Sequence, residues 1–220
     1  MKLSDKTINL LKNFSDINQS ILFKKGNKLR TISVMKNILA EADIPEDFPK
    51  DFGIYDLNQF LRGVFLHNKP ELDFANEGHV VIREGKTRSK YFFADPSVIV
   101  TPPDKELTLP TTDVEFDLST EQLDKVRKAV LAFQLPDLSV VGEAGVVKLV
   151  VHDKKNDTSN DFQVIVGETD SEFCFNFKVE NIKILPGSYH VAISSKLLSR
   201  FTNNDYDLTY YIALEPDSNF

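Results

Sequence analysis

The pattern of the first half of this chain returns in the second. KLS at 2–4 opens a helical periodicity, and DLS at 117–119 opens another. A shorter helical stretch then starts near Asp56 in one half and near Val179 in the other, 52 residues after Ser4 and 60 after Ser119. The remaining segments read as short strands rich in Val, Ile, Phe and Tyr: SILFKK, ISVM, HVVIRE and KYFFA, then VVKLVV, DFQVIVG, EFCFNFKV, SYHVAIS and LTYYIALE. Such a chain is expected to form two α+β modules in tandem, each with two helices on antiparallel sheet. The stretch 95–110 carries four prolines and no helical period, so it reads as extended. The expected organisation is an N-terminal domain over 1–100, a connector over 101–110 and a C-terminal domain over 111–220.

With 220 residues and 41% hydrophobic content there is enough apolar material for one large core or two smaller ones. Seventeen Phe and no Trp mean that the core rests on Phe, Leu, Ile and Val. The single cysteine, Cys174, excludes an internal disulfide framework and fits a reducing cytoplasm. Its place in the alternation EFCFNF suits a strand core better than a nucleophile. No apolar signal segment opens the chain, and runs such as VIV at 98–100 are far too short to span a bilayer, so no membrane partner is expected.

Charge is unevenly placed. The chain is acidic, with a net charge of −7. The expected helices over 2–14, 56–66, 119–133 and 178–183 hold nine basic residues against five acids, leaving −11 for everything else. Such a body could meet a polyanion on its helical faces and repel it elsewhere; equally, the lysines could be ordinary solvated residues. In 119–133 the stripe Leu123, Val126, Val130, Phe133 faces a core, with Lys125 and Lys128 opposite, and Ser119 with Gln122 fits a capping box. In the first helix Ile8, Leu11 and Phe14 point inward, while Lys2, Lys6, Asn9 and Asn13 point outward.

Enzymatic chemistry has no motif support. There is no phosphate-cradling glycine motif, and the four histidines, His67, His79, His152 and His190, lack metal-ligand spacing. No catalytic residue, metal or cofactor is expected.

Six collinear segments carry a resemblance: MKLSDKTINLLKNFSDIN at the start, IYDLNQFL at 54–61, ADPSVIV at 94–100, FNF at 175–177, LPGSYH at 185–190 and YYIALEPDS at 210–218. Together the sequence resembles the DNA polymerase sliding clamps of T-even-type bacteriophages. The resemblance implies a non-enzymatic processivity factor whose two clamp domains assemble, head to tail in three copies, into a closed ring around duplex DNA. It implies sequence-independent DNA contact, a partner DNA polymerase, an ATP-driven clamp loader, late-transcription RNA polymerase subunits, and residence in the cytoplasm of the infected bacterial host.

Carried over by position, the DNA-facing candidates are Lys2, Lys6, Lys12, Arg62, Lys125, Lys128, Lys178 and Lys183. The subunit interface is expected where Tyr91, Phe92 and Phe93 of one copy meet Phe162, Val164 and Val166 of the next. A groove for partner peptides is expected at Val98, Ile99, Val100, Leu214 and Pro216, although Val98–Val100 could also be a plain buried strand and Leu214 a core residue. The rival reading is a β-rich structural or assembly protein of a virion, with no DNA at its centre.

Overall fold

Side-chain caps set where the helices start. The Oγ of Ser4 accepts from Thr7 N at 3.2 Å and opens α1 (Asp5–Ile17). Asp56 accepts from Gln59 N at 2.7 Å and opens α2 (Leu57–Phe65). Ser119 and Gln122 form the expected capping box at the head of α3 (Thr120–Phe133). Glu46 reinforces the first cap by accepting from both the Ser4 amide and the Thr7 hydroxyl.

The computed structural model describes residues 1–220, which divide into two compact units, Met1–Lys105 and Glu106–Phe220. In the first unit α1 is followed by β1 (Ile21–Phe23), β2 (Gly26–Ile32), β3 (Ile38–Phe48) and β4 (Phe52–Ile54). After α2 come β5 (Glu71–Asp73), β6 (His79–Glu84), β7 (Thr87–Phe92) and a one-turn 3-10 helix, Pro96–Val98. β1 pairs with β4, β2 with β3, and β5, β6 and β7 form a meander, all antiparallel. Leu10, Leu11 and Phe14 of α1 and Phe60, Leu61 and Val64 of α2 are buried. Beneath them Phe23 stacks on Phe52 at 4.5 Å, with Phe48 edge-on to both.

The second unit begins with β8 (Val114–Leu118) and α3, then β9 (Asp137–Glu143), β10 (Val146–His152), β11 (Phe162–Glu168) and β12 (Phe173–Lys178). A 3-10 turn, Val179–Asn181, leads to β13 (Tyr189–Ser194), β14 (Leu198–Asn203) and β15 (Leu208–Ala213). One sheet runs in the order β11-β10-β9-β12, and β15, β14, β13 and β8 are neighbours in that order in another. α3 lies against β10 and β11, burying Leu123, Val126 and Ala129. Two buried tyrosines lock the approach to β13: Tyr189 Oη donates to Leu185 O at 2.7 Å, and Tyr210 Oη accepts from Leu185 N at 3.1 Å. Burial pushes the Tyr189 phenol up to about 12.

Five local readings are corrected. ISVM is not a strand, since β2 ends at Ile32, and Val34 and Met35 stand exposed in the turn to β3. Phe133, placed on the inward stripe of α3, is exposed. The helix expected over 178–183 is a single 3-10 turn, and Lys178 belongs to β12. No side chain caps that turn, and so short a segment rich in β-branched residues does not nucleate an α-helix. Asn13, expected outward, is buried, and Ile8, expected inward, is only half-buried; the inward stripe of α1 is Leu10, Leu11, Phe14 and Ile17. KYFFA does not run as one strand, because β7 ends at Phe92.

Candidate nucleic-acid interface

In the first unit α1 and α2 pack together and are tied by polar contacts at their seam. Ser15 Oγ lies 3.0 Å from Asn58 Oδ1 and donates to Lys12 O at 2.7 Å. Lys12 sits with its Nζ 4.9 Å from the centroid of the half-exposed Phe65 ring, so a cation is held over an aromatic face between the two helices. Lys12, Arg62, Asn9, Asn58 and Gln59 are exposed on this layer, and Lys6 is half-exposed. Lys2 precedes α1 and pairs with Glu71 at 3.2 Å, both well solvated.

In the second unit Lys125 pairs with Glu121 one turn earlier at 2.7 Å, the favourable helical order, and holds the Glu121 carboxyl below its usual range. Lys128 is exposed on the same flank. Arg127 turns aside and donates to Ile184 O. Lys183 is exposed beyond the 3-10 turn. Lys178 is bonded to Asp137, a buried carboxylate that also accepts from Lys154 N at 3.2 Å. That hydrogen bond raises the Lys178 pKa. Its ammonium is therefore engaged within the sheet.

The observed helix bounds also change the charge balance. α1, α2, α3 and the 179–181 turn hold six basic residues and five acids, a net of +1 in place of the +4 expected. Lys2, Lys178 and Lys183 fall outside the helices, Asp56 becomes a cap, and Asp16 enters α1. The faces are thus nearly neutral overall, with lysines and amides spread along them.

The strands expected at subunit contacts are outer strands. β7 ends the β5-β6-β7 meander, and β11 ends the β11-β10-β9-β12 sheet. On β7, Phe92 is 69% exposed, while Tyr91 is half-buried with its Oη donating to Asp56 O at 2.9 Å. Phe93, just beyond the strand, packs on Phe52 at 5.0 Å. A cleft of about 670 Å3 opens beside β7 between Tyr55, Arg62, Leu66, Ile82 and Phe92. On β11, Phe162, Val164 and Val166 are half-buried, and Ile165, absent from the expected set, is 60% exposed.

The residues expected to take partner peptides fall in both units. In the first, Val98 is 56% exposed, Val100 is half-buried, and Ile99 is buried against Gly53. In the second, Leu214 is buried and Pro216 exposed. The histidines have structural neighbours: His67 contacts Ser89 and Thr87, His152 lies 2.8 Å from Ser139, and His190 lies 3.0 Å from Asp117. Burial pushes the Cys174 thiol up, away from thiolate chemistry. No three His, Cys, Asp or Glu side chains converge as a metal site.

Two α+β units with antiparallel sheets and outer strands left open are the fold of solved sliding clamps. Solved structures share that fold: PCNA of A. fulgidus bound to the C-terminal region of FEN-1 aligns at a TM-score of 0.72 over 99% of this chain and 98% of its own, at 14% identity. A DnaN sliding clamp of Pseudomonas aeruginosa bound to griselimycin aligns at 0.65 over 90% of this chain and 57% of its own, at 16% identity. Residues 2–101 match the family described as DNA polymerase processivity factor, and residues 115–216 match the gp45 sliding clamp, C terminal. The chain belongs to this phage sliding-clamp family of non-enzymatic processivity factors. The sliding clamp of Vibrio phage KVP40 is 36% identical over 98% of this chain and 99% of its own. That of Enterobacteria phage T4 is 30% identical over 99% and 98%.

Proposed function

We propose that three copies of this chain close head to tail into a ring around duplex DNA and tether the replicative polymerase of a phage. The observation that carries this reading is the pair of outer strands. β7 and β11 each leave one side unpaired by the chain itself, and each exposes a large apolar residue, Phe92 and Ile165. Open apolar edges invite pairing, and a heterologous contact that closes after three steps satisfies both in every copy. Tyr91, Phe92 and Phe93 of one copy then lie along Phe162, Val164, Ile165 and Val166 of the next.

The outward faces of α1, α2 and α3 meet the phosphates through Lys6, Lys12, Arg62, Lys125 and Lys128, with Lys2 and Lys183 beside them. A nearly neutral face with scattered cations suits this work. Dense phosphate contact would grip the duplex and make affinity fall steeply with salt, whereas a clamp retains DNA by topology and slides. Acids over the rest of the chain discourage DNA from binding elsewhere. Partner peptides of the polymerase, of an ATP-driven loader and of late-transcription RNA polymerase subunits engage the exposed Val98 region and, separately, the segment around Leu214 and Pro216, in the host cytoplasm. Native mass spectrometry over a concentration series tests the ring: a species of roughly 75 kDa, three times 25.0 kDa, is expected. A strict monomer at high concentration overturns it.

A further inference from the structure

Gln122 makes two kinds of bond with one side chain. Its Oε1 accepts from Ser119 N at 2.9 Å and from Ser119 Oγ at 2.8 Å, closing the capping box of α3. Its Nε2 donates to the carbonyl of Ile165 on β11 at 3.0 Å. The head of a helix is thereby tied to an outer strand 43 residues away in sequence.

That strand is irregular at the same place. The β10–β11 register runs Val147 opposite Gly167 and then Lys148 opposite Ile165, so Val166 has no partner on β10. A bulge bends and twists the strand that carries it, and on an outer strand such a distortion turns the edge away from further pairing unless something fixes it. The Gln122 bond falls on the residue beside the bulge.

We propose that Gln122 is a positioning residue for ring closure: it holds the bulged outer strand β11 in the geometry with which a second copy pairs, and so couples α3 to the subunit junction. This rests on the trimeric reading above. A shift at the head of α3 would reach the junction through a single side chain.

Two variants separate this role from plain helix capping. Gln122→Glu keeps the acceptor, since Ser-x-x-Glu is itself a capping box, but has nothing to donate to Ile165 O. Ser119→Ala weakens the cap and leaves the Gln122 donor in place. With Gln122→Glu, the melting of the dilute subunit should match the parent, amide exchange at 163–167 should accelerate, and the concentration at which the trimer half-dissociates should rise about two- to tenfold, one hydrogen bond's net worth at a junction. Ser119→Ala should lower the melting temperature and leave that concentration unchanged. A Gln122→Glu trimer as tight as the parent overturns the proposal alone, as does a Ser119→Ala trimer weakened equally. A parent chain that never forms trimers overturns the ring reading and this proposal with it.

Discussion

Lys178 donates to Asp137, whose carboxylate is only 1% exposed, across the β9–β12 pair. Asp137 opens β9 directly opposite Lys178 in register. The lysine compensates a charge that the sheet has taken out of water, so its removal leaves that charge short of a partner. Lys178→Ala is expected to cost about 2 kcal/mol of unfolding free energy, part of it already offset by solvent at the lysine end. Urea denaturation measures this. The raised pKa gives a sign as well: the stabilisation is complete below the ordinary lysine range and is lost as pH rises through the folded-state value. A variant with parental stability would mean that the ammonium is dispensable to Asp137 and available to DNA.

Glu46 links the first cap to β3. Burial alone would raise its pKa, but hydrogen bonds from Thr7 and Ser4 lower it below 4.5 overall. A carboxyl with a depressed folded-state pKa adds stability that is present above its unfolded value and disappears as pH falls through the folded one. The parent should therefore lose stability below about pH 4.5 more steeply than Glu46→Gln, which itself should sit about 1 kcal/mol lower at neutral pH. Parallel denaturation curves at pH 7 and pH 3 check both statements. Equal acid sensitivity in the two proteins would show that the cap draws nothing from the charge.

Charge reversal at Lys6, Lys125, Lys128 and Lys183 tests the helical faces. All four lie outside the outer strands β7 and β11, so the oligomer should persist while processive synthesis on long templates collapses. The loss should be partly recovered at higher salt, because screening acts on exposed charge. Adding Lys178→Ala to this set should change stability and little else. Long-tract synthesis at parental level by the four-fold variant would sink the assignment of these faces to DNA.

The tandem plan and the helix starts were legible because they are local. Ser4, Asp56 and Ser119 are capping residues followed by amphipathic periods, and α1, α2 and α3 begin where those residues stand. β3 was hidden because its outward positions carry Glu41, Asp43 and Pro45 and its buried ones the small Ala40 and Ala42, so few β-branched or aromatic residues mark it as a strand. Lys178 read as a helix cation because the partner that claims it, Asp137, lies 41 residues away. The exposure of Ile165 could not be read from the sequence because it depends on β11 being outermost, and strand order is set by non-local pairing. Asn13 was turned the wrong way by one position in a narrow stripe, since Leu10 and Phe14 rather than Ile8 define the buried side.

Gly53 supplies the most local test of the region that leads into the connector. Its N–H and C=O lie on β4, its carbonyl accepts from Ala94 N at 2.9 Å, and Ile99 is folded down upon it. A Cβ at this position would stand 2.6 Å from Ile99 Cδ1 and 2.7 Å from Ala94 O. The isoleucine tip could rotate away, but the backbone carbonyl has no such freedom, so the 94–99 segment must lift. Gly53→Ala is expected to destabilise the first unit by about 1–3 kcal/mol and to expose Ile99. Amide exchange should quicken at Ala94 and through 97–100, with the β13–β14 pair of the second unit unchanged. Gly53→Ala combined with Ile99→Val removes the clashing methyl and should recover part of the loss. If the combination fares no better than the single change, the carbonyl contact alone carries the strain, and Ile99 is a bystander in holding this segment to β4.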